Sequence, residues 1–196
     1  SANAKWLTEI AHRNPIWINN EDAKRLGVTN GDLLKITTEI GWFVDKVWVT
    51  EAIKPGVVAC SHHIGRWRRQ QDDGNRFMTN TVDIRNLGDG KWKMKTVKGV
   101  ESWKTDDPDT NRIWWRDGGV HQNITHAANP DPISGAHCWL QKVSISVPNP
   151  DEKYGDVFVD TNKSFEHFKK WNEWAKERET HPNGLRRPLW MGRPLT

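Results

Sequence analysis

Lys54-Pro55-Gly56-Val57-Val58-Ala59-Cys60 is a tight turn running straight into an unbroken apolar run, and its reading decides the fold. Proline presets the turn and glycine frees its backbone, while consecutive apolar residues suit a strand buried on both faces. That strand delivers the chain to Ser61-His62-His63-Ile64-Gly65-Arg66-Trp67, which packs polar, basic and aromatic groups into one short stretch. Such a stretch at a strand end has the makeup of a ligand-contacting loop.

Similar short units lie upstream. Ala4–Ala11 sets Trp6, Leu7 and Ile10 at helical spacing ahead of the break at Arg13-Asn14-Pro15. Ile16-Trp17-Ile18 is a brief apolar run, Asn19 or Asn20 can cap a helix over Glu21–Leu26, and Gly27 ends it. Asn30-Gly31-Asp32 then turns the chain into a strand over Leu33–Thr38, a turn at Glu39–Gly41 and a strand over Trp42–Thr50. Many short strands, one small helix and Gly-bearing turns predict a mainly β fold closed into a barrel rather than a parallel α/β sheet.

Downstream, Arg68–Asp117 is rich in Asn, Asp, Gly and Lys and reads as a polar insertion. Within it Thr79–Ile84 and Lys91–Val97 are expected to pair across Asn86–Gly90, with Thr105–Asn111 as surface loop. Order returns at Ile113-Trp114-Trp115, and Gly118-Gly119 permits close backbone approach ahead of His121-Gln122-Asn123-Ile124-Thr125. Beyond the turn Asn129-Pro130-Asp131-Pro132 and the stretch Trp139-Leu140-Gln141-Lys142, the alternation of Gln141–Val147 predicts a strand that closes the barrel. Tyr154–Asp160 is a further strand. Ser164 is expected to cap a helix to about Glu179 whose Phe165, Phe168, Trp171 and Trp174 form a core-facing stripe, and the tail from His181 to be extended and wrap a surface or a partner. The chain thus divides into a barrel over residues 1–147, with its insertion at about 68–117, and a C-terminal strand, helix and tail over 148–196.

At 196 residues the chain can bury a real core. Only 35% of it is hydrophobic, yet it holds thirteen Trp, so indole rings are expected to supply core volume. The net charge of +4 is modest and the bases are interleaved with acids, so no nucleic-acid surface is indicated. Cys60 and Cys138, far apart and without Cys-x-x-Cys spacing, make no cluster or zinc site and read as buried free thiols. No run is long enough to span a membrane, no signal peptide is visible, and the chain reads as soluble.

The ordered set Asn14-Pro15-Ile16-Trp17-Ile18-Asn19, Glu21-Asp22-Ala23, Leu26-Gly27, Asn30-Gly31-Asp32 and Lys54-Pro55-Gly56-Val57-Val58, continued by Asn123-Ile124-Thr125, Asp131-Pro132 and Gln141-Lys142, carries a resemblance. It resembles the C-terminal dinucleotide-binding domain of the molybdopterin oxidoreductases, the dimethyl sulfoxide reductase superfamily, from about Ala4 to Val147 apart from the insertion. Each piece occurs by chance in many proteins, whereas their order is specific. The resemblance implies a double-psi β-barrel of the aspartate-decarboxylase-like kind. It also implies that this barrel clamps a bis molybdopterin guanine dinucleotide cofactor carrying molybdenum or tungsten, in an enzyme acting on inorganic oxyanions, sulfur compounds or formate. The family's cluster-binding motif, central domains and metal ligand are not identifiable in this chain, so no catalytic residue and no metal ligand is assigned to it. A larger catalytic chain, or a missing N-terminal part, would hold any iron–sulfur cluster. An iron–sulfur electron-transfer subunit would be a further partner, in a cytoplasmic or periplasmic setting.

Three stretches supply the groups such a ligand needs. Ser61, His62 and His63 offer hydroxyl, imidazole and backbone donors, Gly65 lets a backbone approach closely, Arg66 offers a bidentate fork and Trp67 a stacking face. By family position, Asn123 and Gln141 would read an amide-like edge, Thr125 add a hydroxyl and Lys142 a point charge, with His121 and Gln122 beside them. Each also has a plainer reading. His62-His63 can be a hydrogen-bonding pair, since adjacent side chains at a strand end diverge and would not share a zinc. Arg66 with Arg68 and Arg69 can be a solvated turn, Asn123 a turn residue, and His137 and Cys138 buried neighbours of the last strand. Two rival functions remain at this point: a Trp-rich β-barrel recognition module gripping a glycan or extended peptide, and an assembly protein that never touches the cofactor.

Overall fold

The computed structural model describes residues 13–62, 82–96, 119–131 and 136–177, together with Leu7 and Ile10, which are helical and exposed. Its strands are Ile16–Ile18 (β1), Leu33–Thr37 (β2), Gly41–Val49 (β3), Val58–Ala59 (β4), Val82–Gly88 (β5), Lys91–Thr96 (β6), Ser144–Ser146 (β7) and Val157–Asp160 (β8). Two helices, Asn20–Leu26 (α1) and Thr161–Glu177 (α2), and a 3-10 turn at Asn123–Thr125 complete the described elements.

Everything attaches through β3. One edge of it pairs antiparallel with β2, from Leu33 opposite Lys46 to Thr37 opposite Trp42. The other edge is divided: Gly41–Phe43 pairs antiparallel with β8, whereas Val47–Val49 pairs in parallel with β1. A nine-residue strand is long enough to serve both neighbours, and α1 with β2 forms the crossover that the parallel β1–β3 pair requires. The fold is mainly β with few helices, as the sequence leads one to expect. Among the described residues the sheet is not closed: the ladder runs β4-β1-β3-β8-β6-β5, with β2 and β7 branching from it. The segment expected to close a barrel contributes only Ser144–Ser146, paired with β2.

Local chemistry explains the elements. Asn19 accepts from the Glu21 N–H at 2.8 Å, capping α1, and Gly27 at φ 70° ends it by donating to the carbonyls of Ala23 and Lys24. Asp89 and Gly90 both have positive φ, the conformation a two-residue hairpin turn demands, and they join β5 to β6. This hairpin extends the main sheet, because β6 pairs with β8. The long helix begins at Thr161, not after Ser164, because the Asp160 carboxylate accepts from the N–H groups of Asn162 and Lys163.

The core is Ile16, Ile18, Ala23, Val28, Leu34, Ile36, Phe43, Val47, Val120 and Val157. Contrary to the composition-based expectation, no Trp among the described residues is buried in it. β-Branched residues fill most inward positions, Trp92 packs half-buried against a second cluster of Ile40, Ala127 and Val159, and other indoles stand on the outer face. There Trp17 and Trp48 meet edge to face with centroids 4.4 Å apart, and Lys35 and Lys93 lie over Trp42. Three further expectations are corrected. The apolar run Val57–Cys60 yields only a two-residue edge strand with Val57 exposed, since β4 has β1 alone as partner. Phe165 and Phe168 are 58% and 42% exposed, and Trp171, half-buried and stacked on Phe168, is the member of the stripe that meets the protein, its Nε1 donating to Pro130 O, while His167 meets Glu39. His137 is exposed and Cys138 half-buried. The expectations for residues 63–81, 97–118 and 178–196 lie outside the described residues.

Candidate functional site: a groove where three loops meet

Asn14 begins the site. Its side chain is almost fully buried, and its Nδ2 donates to the Ser61 carbonyl at 3.0 Å and to the Val120 carbonyl at 2.9 Å, while Oδ1 accepts from the Val120 N–H at 2.7 Å. Gln122 Nε2 adds a second donor to Ser61 O at 3.2 Å. The Cys60 thiol donates to the Asn14 carbonyl at 3.0 Å. The end of β4 and the 120–122 segment are therefore stitched together by side chains that reach across the fold.

The third loop joins through rings. Trp139 takes the His62 ring flat against it at 4.3 Å, and the edges of His137 and His126 at 4.4 and 5.2 Å. Three imidazoles thus surround one indole. His126 titrates below the usual imidazole range because burial disfavours its charged form and His137 and His62 add repulsion. Burial likewise pushes the Cys60 thiol up, with the Asp45 charge adding and the hydrogen bond to Asn14 opposing. Cys60 is consequently a packing group and not a nucleophile.

These contacts frame a groove of about 660 Å³ whose lining includes Asp22, Arg25, Gly56, Cys60, Gln122, His126, Trp139, Gln141 and Lys142. Asp22 shapes one wall: it accepts from Arg25 and from the Gly56 N–H, each at 2.6 Å, pinning the 54–56 turn to α1. Gln141 and Lys142 also face a smaller cavity of about 420 Å³ on the far side of their segment, beside Glu39 and His167.

Of the residues singled out in the sequence, Ser61, His62, Gln122, Gln141 and Lys142 come together at or beside the groove; half-buried His121 adjoins Gln122. Asn123 Oδ1 is buried without a hydrogen-bond partner. Thr125 is fully buried, with its hydroxyl donating to the Gln122 carbonyl and its own carbonyl accepting from Thr38. His63, Gly65, Arg66 and Trp67 lie outside the described residues. Asn14, His126, His137 and Trp139 were not among the assigned site residues. Only a three-dimensional contact singles out the first three, whereas Trp139 opens the Trp139–Lys142 stretch that the sequence already marks.

Fold and groove define a β-rich domain with a groove whose polar and aromatic groups come from separated loops. Residues 1–86 match the family model for the molydopterin dinucleotide binding domain. It is 36% identical over 62 residues to a tetrathionate reductase subunit of Archaeoglobus fulgidus, covering 32% of this chain and 6% of that one. It is 36% identical over 67 residues to the arsenate respiratory reductase molybdopterin-containing subunit of Chrysiogenes arsenatis, covering 30% and 8%. A selenate reductase subunit of Mesobacillus selenatarsenatis is 35% identical over 92 residues, covering 38% and 9%. The chain thus matches less than a tenth of the length of each of these relatives.

Proposed function

We propose that this chain is the dinucleotide-binding portion of a molybdenum or tungsten oxidoreductase, clamping a bis molybdopterin guanine dinucleotide cofactor. The observation that carries the reading is the convergence of Ser61-His62, Val120–His126 and Trp139–Lys142 on one groove within a chain whose residues 1–86 match this family model. The donor set suits such a ligand: Arg25 and Lys142 are cations for phosphate oxygens, Gln122 and Gln141 are amides for pterin or guanine edges, and Trp139 is a planar face. The orphaned Asn123 Oδ1 is an acceptor in want of an N–H, as a pterin or guanine amine would provide. When bound, the cofactor supplies the oxidation–reduction chemistry, and these residues hold and orient it.

The reading extends the open sheet to a double-psi barrel completed outside the described residues. It makes a larger catalytic chain or N-terminal part, and an iron–sulfur protein, the partners. The names of the relatives point to an inorganic oxyanion or a sulfur compound as the substrate class. Among the described residues no helix is long and apolar enough to cross a membrane.

Lys142→Ala in the holoenzyme tests the clamp. Metal and pterin content should fall together, by threefold or more, and full retention of both would refute the role given to Lys142. The exposed Trp17–Trp48 pair favours a second reading, recognition of a glycan or peptide. Saturable glycan or peptide binding that is lost in Trp48→Ala, in a chain that purifies without pterin, would support it.

A further inference from the structure

We infer that Asn14 is the positioning residue of this groove, setting the distance between the loop that begins at Ser61 and the loop that begins at Val120. The ligand named for the test rests on the dinucleotide-binding reading; the geometry does not. Asn14 is 2% exposed and uses its amide completely, with two donations to carbonyls on different loops and one acceptance from the Val120 N–H. No other uncharged side chain of its size combines donor and acceptor in this way, since Asp lacks the donors and Leu lacks both. The Ser61 carbonyl takes a second donor from Gln122, and the Cys60 thiol returns a bond to the Asn14 backbone. The groove-lining residues Cys60 and Gln122 are therefore tied to the network around Asn14, Cys60 through the Asn14 backbone carbonyl and Gln122 through the Ser61 carbonyl that the Asn14 amide also holds. His62 and Asn123 each follow directly from a residue fixed in this network. Asn14 lies behind the groove's lining and acts through the two loops.

A carboxyl at this position gives a specific signature. Ionised, it keeps the bond from Val120 N–H but turns a charge toward the carbonyls of Ser61 and Val120; protonated, it regains one donor. Burial and two facing carbonyl oxygens raise the pKa of the introduced group, so the defect is present at higher pH and relieved as pH falls. Asp45, Asp22 and Arg25 are the other charged groups bordering this region, beside His62, His126 and Lys142, and all are common to wild type and variant.

The test uses the full chain, with guanosine diphosphate as the probe, at pH 7.5 and pH 5.5. Asn14→Asp should weaken binding at least tenfold relative to wild type at pH 7.5 and recover to within threefold of wild type at pH 5.5, while Asn14→Leu stays weak at both. Amide exchange in the ligand-free chain gives the second reading. His62 and Asn123 should exchange at least tenfold faster than wild type in Asn14→Asp at pH 7.5 and return toward wild-type protection at pH 5.5. Leu34→Ala, a core truncation on β2 that removes no hydrogen bond to either loop, controls for general loosening and should leave both ratios near one. Variant binding and exchange equal to wild type at pH 7.5, or a defect that Leu34→Ala reproduces, would overturn the inference. If wild type does not bind the probe while the exchange pattern holds, the dinucleotide reading fails and the positioning role stands.

Discussion

The His62 imidazole lies against the Trp139 indole with their centroids 4.3 Å apart and their planes 19° from parallel, tying the loop after β4 to the segment before β7. Among the described residues those two stretches share no backbone ladder. Ring packing is therefore what holds this side of the groove, and His126 and His137 brace the same indole from its edge.

Trp139→Ala should loosen that side and let water reach His126. Burial is the main reason His126 titrates low, so its midpoint should rise toward the ordinary histidine value, as measured by imidazole NMR. The sign for stability follows. A depressed imidazole pKa contributes stability that is full above about pH 6.5 and is lost as pH falls through the folded-state value. The wild-type chain should lose more stability than Trp139→Ala between pH 7 and pH 5, as followed by urea unfolding. A midpoint for His126 unchanged by the substitution would show that Trp139 does not shield it.

Glu152 is held on the opposite side of the sheet from the core. Burial alone would raise its pKa, but donation by Lys35 Nζ and the Asn149 N–H, with the Lys35 charge, outweighs this and leaves it lowered. Because the folded pKa is depressed, the contribution is present above the unfolded value near 4.3 and vanishes as pH falls through the folded one. Glu152→Gln should cost about 1–3 kcal/mol at neutral pH, as expected for losing hydrogen bonds to a charged group. The gap from wild type should close toward pH 3 in denaturant titrations.

The sequence and the structure agree where signals are local. Asn19, Gly27, Asn30-Gly31 and Asp89-Gly90 act through their own backbone neighbourhood, and the helix, turns and hairpin they imply stand where expected. Three loops were expected to converge, and Ser61-His62, Val120–His126 and Trp139–Lys142 do meet. Exposure was less legible. Val57 reads as buried because its neighbours are apolar, yet an edge strand covers only one side; Phe165 and Phe168 have core spacing on a face this chain leaves open. Asn14 was visible only as the residue before a helix-breaking proline and the first of the family-like run Asn14–Asn19. Its role depends on Val120, 106 positions away, a separation that no periodicity encodes.

The divided edge of β3 gives the last prediction. A methyl on Gly41 would overlap the Phe158 carbonyl oxygen and stand 3.2 Å from both the Phe158 carbonyl carbon and Val159 Cα, all backbone atoms that no rotamer can move aside. Gly41 N–H also donates to Thr38 Oγ1 at 3.1 Å, so the turn before it resists shifting in compensation. Gly41→Ala should therefore destabilise by about 1–3 kcal/mol through overpacking. Gly31→Ala is the useful comparison: nothing lies near its missing Cβ, and only the left-handed backbone at φ 90° is penalised, by about 1–2 kcal/mol. Unfolding free energy alone need not separate them, but location does. Among the described residues the 82–96 hairpin joins the ladder through β8, so Gly41→Ala should speed amide exchange in β8, β5 and β6, whereas Gly31→Ala should affect the start of β2 and the Val47 region it bonds. Equal exchange in the hairpin for both variants would mean that β8 is not held by its contact with Gly41.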